Sequence, residues 1–510
     1  MSSIDDALGG LAKSAVIVFF GTVAGRALGL LGQIFIVRSL DPTSFGHIAL
    51  AYTVISTSGG LGLLGIHEGV TRLLSSERTQ QYQHRVLRSG YLLTLGGSFV
   101  LMIILYVFRF QLSIYLNNDQ LPRLIVLFFP YIIAYSIARV SFGALRSYKR
   151  SGAAVVTRDL GPRIGGILIF GALAYVGQAY FGAIVYWVSV PLIMAILSGY
   201  YLSQELSISH VVFRLPNLKT TRDLLMFSWP LAVGASFFLL LSNIDVLMIS
   251  YFLQPRSVGL YRAIQPLRQV TTFVLVAFTF LFLPLATEFF DDGNLNDLDR
   301  LYTVTTKWIV ITTFPFVLVF TLFAPSIITS FFGTEYTAAA PALAVLTGGL
   351  FVRTIVGLNG DMTKAIDRPR IELYSVVVAV VVNIFCNIFL IPRYGIVGAA
   401  LGTAIGYAVY NGIELVGIYL AVESHPFSMD SIKPLVPTFL FALGVRQFVH
   451  GENISFVMLL GIGIGISCVQ AISLVLTRSV SQSDIVLFER FEERTGFDLS
   501  WIKSVLRTYV

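Results

Sequence analysis

Long apolar runs alternate with short polar connections, a pattern that predicts fourteen helices. The runs cover residues 14–37, 45–66, 89–108, 123–145, 160–178, 182–202, 225–251, 260–285, 306–331, 338–358, 371–391, 395–421, 435–449 and 456–476. Most approach the length of about 20 residues that a helix needs to cross a bilayer core. Residues 164–204 carry no charge over 41 positions, too many for one crossing, and the stretch from Gln178 to Gly182 offers a turn between two. The run 435–449 is short and holds Arg446. The first run is too long for a signal-peptide core, is interrupted by Arg26 and lacks a small-residue cleavage site, so it reads as a span. The expected fold class is an all-α polytopic membrane protein.

Composition narrows the class. Hydrophobic residues make up 55% and charged residues 12% of 510, with a mean hydropathy of +0.79. Soluble domains carry about 25% charged residues, so a soluble enzyme, a disordered chain and a secreted disulfide scaffold are excluded. Cys386 and Cys468 both lie inside apolar runs and point to neither a disulfide nor a metal cluster. The net charge of +7 matters less than its placement. With the N-terminus inside, 24 of the 35 Lys and Arg fall in inner segments. The outer loops hold Arg38, Arg109, Arg123, Arg256, Arg393 and Arg446. The positive-inside rule then puts both termini in the cytoplasm.

Leu40, Pro42, Ser44 and Gly46 join the first two runs; Leu253, Pro255, Ser257 and Gly259 join the seventh and eighth, at a constant offset of 213. The expected device is a tight turn in which Pro ends one helix, Ser caps the next and Gly packs closely. A common turn recurring by chance explains that match alone. Gly182-Ala183 against Gly398-Ala399, and Arg139 against Arg353, repeat at offsets of 216 and 214, which favours an internal repeat. Six crossings per copy make the copies parallel, and such folds place substrate between the halves. The expected domains are an N-terminal lobe 1–210, a second lobe 211–422, two further helices 423–476 and an amphipathic cytoplasmic tail 477–510.

Two six-helix lobes plus two helices, with the opening pattern Gly25, Arg26, Gly29, Val37, Arg38, Leu40, Pro42 and Gly46, resemble the multidrug/oligosaccharidyl-lipid/polysaccharide (MOP) exporter superfamily. The similarity is strongest to its polysaccharide-biosynthesis, Wzx-like flippase branch and spans roughly residues 10–480. It implies a non-enzyme of the cell membrane that carries polyprenyl-linked oligosaccharide from the cytoplasmic to the outer leaflet by alternating access, for surface polysaccharide or glycoprotein synthesis.

Charges inside apolar runs are costly and mark water-filled cavities or function. The basic ones are Arg26, Arg139, Arg262, Arg268 and Arg353; the acidic ones are Asp245 and Glu414. Arg262 and Arg353 lie near run ends, where snorkelling is an alternative. Arg262, Gln265 and Arg268 follow at i, i+3 and i+6 and are expected to share a helix face. Guanidinium binds phosphate bidentately and stays charged when partly desolvated. The five arginines are therefore candidates for a substrate-binding cavity holding the phosphate or pyrophosphate of the lipid-linked sugar.

Asp245, Asn383, Asn387 and Thr403 offer hard oxygen donors suited to a sodium ion, and the resemblance also places cation sites within a lobe. The alternative is an Asp245 ion pair with arginine and interhelical hydrogen bonding by the asparagines. Glu414 is a candidate proton carrier. Arg146, Lys149 and Arg150 suit anionic lipid contact or head-group capture. In the tail, Trp501, Ile502, Val505 and Leu506 have the i, i+4 spacing of a surface helix. The expected partners are the lipid-linked sugar, membrane lipids and Na+ or H+, with glycosyltransferases possible at the cytoplasmic face of a monomer; no nucleic acid or cofactor is expected. One alternative function is a cation-coupled drug or metabolite exporter of the same superfamily, which typically needs an acidic residue central to the first lobe. Another, of a different class, is a membrane glycosyltransferase or polymerase, which needs carboxylates or a metal site in a sizeable loop. A channel is a third.

Overall fold

The computed structural model describes residues 2–76, 79–148, 150–206, 217–449, 454–482, 484, 485, 489 and 492. Among them the regular structure is helical throughout, with no strand. Contacts divide the chain into two compact units, 1–262 and 263–510.

Unit 1 contains α1 (Ser2–Arg38), α2 (Pro42–Gly62), α3 (Ile66–Ser76), α4 (Gln80–Tyr115), α5 (Leu121–Leu127), α6 (Phe129–Ser147), α7 (Ser151–Val155), a π-helical turn Val156–Leu160, α8 (Gly161–Tyr175), α9 (Ala179–Ser203), α10 (Leu218–Phe252) and most of α11 (Pro255–Ile264). Two expected single spans are broken. α2 and α3 meet at a 41° bend, as do α5 and α6. Pro130 explains the second break, because it lacks a backbone N–H and favours the first turn of a new helix. The turn between α8 and α9 comes at Gly177 (φ 77), just before the stretch expected to supply it.

The repeated turn works differently from its sequence reading. Pro42 does not end α1; it opens α2, where a missing N–H costs nothing. The cap is Asp41 rather than Ser44: its Oδ1 accepts from the Thr43 and Ser44 amides at 2.9 and 3.1 Å. Partial burial raises the Asp41 pKa, but hydrogen bonds from Ser44 and Thr43 outweigh it and hold the carboxyl below its usual range. Gly46 and Gly259 pack reciprocally. A Cβ on Gly46 would overlap the Pro255 carbonyl, and one on Gly259 would overlap the Pro42 carbonyl. Neither position has room for a side chain.

Unit 2 contains α12 (Arg268–Asp291), α13 (Leu295–Leu322), α14 (Ala324–Phe332), α15 (Ala340–Ile355), α16 (Asn359–Ala365), α17 (Pro369–Val422), α18 (Met429–Ile432), α19 (Leu435–Phe448) and α20 (Phe456–Leu476). Phe282, Leu285, Tyr302, Ile309, Met362, Ile366 and Ile418 pack a shared core. The run Pro369–Val422 is two helices broken at Gly395, whose φ 59, ψ −137 only glycine adopts readily. Gly398, Gly402 and Gly406, four apart on the returning half, face the Leu390 carbonyl, Asn387 and Asn383. Small residues at this spacing let two membrane helices approach closely. After α20 the chain is tied to α13. Lys307 Nζ donates to Asp484 Oδ2 at 2.6 Å and to the Ser479 carbonyl at 3.1 Å, and Trp308 Nε1 donates to Asp484 Oδ1 at 2.8 Å. Trp501, Ile502, Val505 and Leu506 lie outside the described residues, so the expected surface helix does too.

Seven described helices are long and apolar enough to cross a membrane, or up to nine if each bent pair is one span. α8 and α19, at 15 and 14 residues, fall below the 18-residue length of that test. The chain is a multi-pass, all-helical membrane protein.

Candidate anion and cation sites

α1 presents Gly21, Gly25, Gly29 and Gly32 to Val155, Asp159, Arg163 and Tyr186. This glycine face lets the first helix lie against the π turn, α8 and α9, and it brings Arg26 beside charged partners. Arg158 donates to Asp159 at 2.9 Å and to Thr22 Oγ1 at 2.9 Å. Arg26 lies within electrostatic reach of both Arg158 and Asp159. Two guanidiniums thus stand beside the Asp159 carboxylate. The π turn carrying Arg158 and Asp159 is of a type often found at functional sites.

Arg139 sits elsewhere in unit 1. It donates from NH2 to His67 Nε2 at 2.7 Å, which requires the neutral imidazole. Its Nε is buried without a partner and its guanidinium lies 5.9 Å from the Tyr135 ring centre. Arg262 lies 5.7 Å over the Tyr52 ring. Tyr52 stacks on Trp187 with centroids 4.6 Å apart and meets Tyr131 edge-on at 5.6 Å; Tyr131 stacks on Tyr135 at 5.5 Å. An aromatic ladder therefore runs between two of the expected arginines.

Arg262, Gln265 and Arg268 do not lie on one continuous helix. α11 ends at Ile264, residues 265–267 turn, and Arg268 opens α12, so helical spacing does not carry across. The Arg268 side chain lies outside the described residues.

In unit 2, Arg353 lies 5.7 Å over the Tyr407 ring. Glu414 is fully buried, with the Tyr410 hydroxyl as its hydrogen-bond neighbour. A Cβ on Gly360 would lie 3.7 Å from both Glu414 Oε1 and the Tyr410 hydroxyl, and 3.9 Å from Glu372 Oε1. Lys364 bridges outward to Glu372 at 3.4 Å and Asp361 at 4.0 Å. Two carboxylates and a phenol thus converge on one point.

The other cation candidates belong to different units. Asp245 is in unit 1, where it accepts from the Tyr261 hydroxyl at 2.8 Å. Asn383, Asn387 and Thr403 are buried in unit 2. Asn387 Nδ2 donates to Asn383 Oδ1 at 3.1 Å, and both asparagines face the glycines of the returning half-helix. Among the described residues, no three His, Cys, Asp or Glu side chains are grouped to hold a metal.

Sequence reasoning missed Arg158, Asp159, Arg163, His67 and the aromatic ladder. The signal available was Gly25 and Gly29, four apart on α1, which mark a close-packed partner for that helix.

Residues 11–290 match the family model described as polysaccharide biosynthesis protein. The chain is 23% identical over 401 residues to a probable low-salt glycan biosynthesis flippase, Agl15, of Haloferax volcanii, covering 78% of this chain and 81% of that one. A solved lipid II flippase MurJ in an inward closed conformation superposes with a TM-score of 0.71 at 15% identity, covering 89% of this chain and 98% of that one. An inward-facing multidrug resistance MATE family transporter of the MOP superfamily gives 0.59 at 16% identity, covering 81% and 94%.

Proposed function

The chain belongs to the polysaccharide biosynthesis protein family, and from that premise we propose that it is a flippase of the MOP superfamily that moves a lipid-linked oligosaccharide from the cytoplasmic to the outer leaflet of the cell membrane. The observation that carries this reading is the excess of guanidinium in the apolar helices of unit 1. Arg26, Arg139 and Arg262 stand there, with Asp159 beside Arg26 and Asp245 as the acidic residues. Such an environment suits a phosphate or pyrophosphate. The sugar hydroxyls and charge could not cross hydrocarbon unaided, because they would lose water without gaining partners.

The mechanism is alternating access of two six-helix lobes in a fourteen-helix chain whose termini are cytoplasmic. The reciprocal packing of the Gly46 and Gly259 turns supports a repeat, and the basic inner segments support the orientation. Arg268 and Arg353 complete the positive set. Glu414, fully buried beside the Tyr410 hydroxyl and the Glu372 carboxylate, is the coupling group best supported by geometry and fits a proton. Sodium at Asp245, Asn383, Asn387 and Thr403 is a second coupling reading, favoured by their oxygen donors. The relatives named as flippases support transport over the glycosyltransferase alternative.

The test is reconstitution of the purified chain in vesicles with fluorescent polyprenyl-phosphate-linked sugar, scoring access from the far side. Wild type moves the probe, and Arg26→Ala loses transport while remaining folded. Full transport by a folded Arg26→Ala chain refutes the phosphate role.

A further inference from the structure

We propose that Arg163 and the Tyr186 hydroxyl form a second anion subsite, which takes an acidic group carried on the sugar chain itself: a carboxylate, or a sulfate or phosphate ester. This inference rests on the flippase reading and narrows its cargo to acidic saccharides.

The first observation is charge that one linker phosphate does not explain. Arg163 stands in the first turn of the apolar helix α8, half-buried. Its guanidinium faces Gly29 of α1, where a Cβ would lie 3.6 Å from Nε and 3.7 Å from Cζ, and it faces the Tyr186 hydroxyl of α9. Among the described residues no carboxylate stands within 4.0 Å of it. Arg158, on the preceding turn, differs: Asp159 meets its charge at 2.9 Å. The two levels are successive along α1. Gly25 faces Asp159 and Gly29 faces Arg163, a rise of about 6 Å over four residues. One level is partly neutralised; at the next, Arg163 donates to the Tyr186 hydroxyl, which keeps its own proton to donate, and no described carboxylate meets the guanidinium.

The second observation is what surrounds it. Tyr131 is within electrostatic reach of Arg163 and belongs to the aromatic ladder. Tyrosine and tryptophan combine an apolar face with a polar edge, which suits the mixed faces of a sugar ring. Guanidinium with a neighbouring hydroxyl donor suits a planar or tetrahedral oxyanion. A ring bearing an acidic substituent would find both chemistries here. The linker phosphate is the rival source of the same oxyanion.

The experiment separates the two sources. The full-length chain is reconstituted with polyprenyl-phosphate-linked glucose or polyprenyl-phosphate-linked glucuronic acid, in wild type and in Arg163→Gln, Arg163→Lys and Tyr186→Phe. Arg163→Gln should slow the glucuronic acid probe at least tenfold and change the glucose probe less than twofold. Arg163→Lys should recover part of the loss, and Tyr186→Phe, which keeps the ring packing, should show a smaller selective loss. Equal loss on both probes overturns the proposal, because Arg163 would then hold the linker phosphate or the fold. No loss on either probe overturns it also. A wild-type chain that moves neither probe sinks the flippase reading itself, an outcome the variants cannot mimic.

Discussion

Removing the Asp484 carboxylate should release the segment after α20 from α13. The Lys307 side chain is 4% exposed and that of Asp484 0%, so this ion pair is out of water. Asp484 is fully satisfied: Oδ2 accepts from Lys307 and from the Ser481 amide and hydroxyl, and Oδ1 accepts from Trp308. Asp484→Ala leaves Lys307 buried with the Ser479 carbonyl alone. Breaking one side of a buried pair costs about 3–5 kcal/mol, mostly the stranded charge. At about 1.4 kcal/mol per tenfold, the open form should rise roughly a hundredfold or more. Limited trypsin digestion followed by mass spectrometry reads this directly, since Arg478 lies at the base of the segment. Cleavage there should accelerate by about two orders of magnitude in Asp484→Ala. The double variant Lys307→Met/Asp484→Leu, which strands no charge, should return toward the wild-type rate. A single variant cleaved within threefold of wild type would refute the reasoning.

Three further outcomes are expected. Gly395→Ala forces a side chain into a glycine-only conformation and should cost about 1–3 kcal/mol, seen as a lower unfolding temperature in detergent; an unchanged temperature would contradict the hairpin break. Asp41 has a depressed folded pKa, so its contribution is present above the unfolded value near 3.8 and is lost as pH falls through the folded pKa. Asp41→Ala should cost about 1 kcal/mol at neutral pH and progressively less as the pH is lowered below 3.8, as measured by unfolding across that range. Glu414→Gln removes the buried ionisable group of unit 2, and vesicle transport driven by an imposed pH gradient should become insensitive to that gradient; a retained response would exclude Glu414 as the proton carrier.

The apolar runs alone determined that this is a multi-pass helical membrane protein, because bilayer thickness and the need to satisfy every backbone amide leave few alternatives. The repeated turn was legible for the same local reason: proline and glycine restrict the backbone wherever they stand. Which side chain caps was not legible, since Asp41 and Ser44 are both competent and only the trajectory into α2 chose Asp41. The breaks at residues 63–65, Phe128 and 265–267 were hidden because hydropathy does not register a bend inside an apolar stretch. The buried arginines could be counted from the chain, but not their partners. Asp159 beside Arg26, neutral His67 on Arg139 and Arg163 against Gly29 depend on helices more than 70 residues apart in sequence. Charge in a low-dielectric interior is set by what lies within a few ångströms, and only tertiary packing brings those groups together.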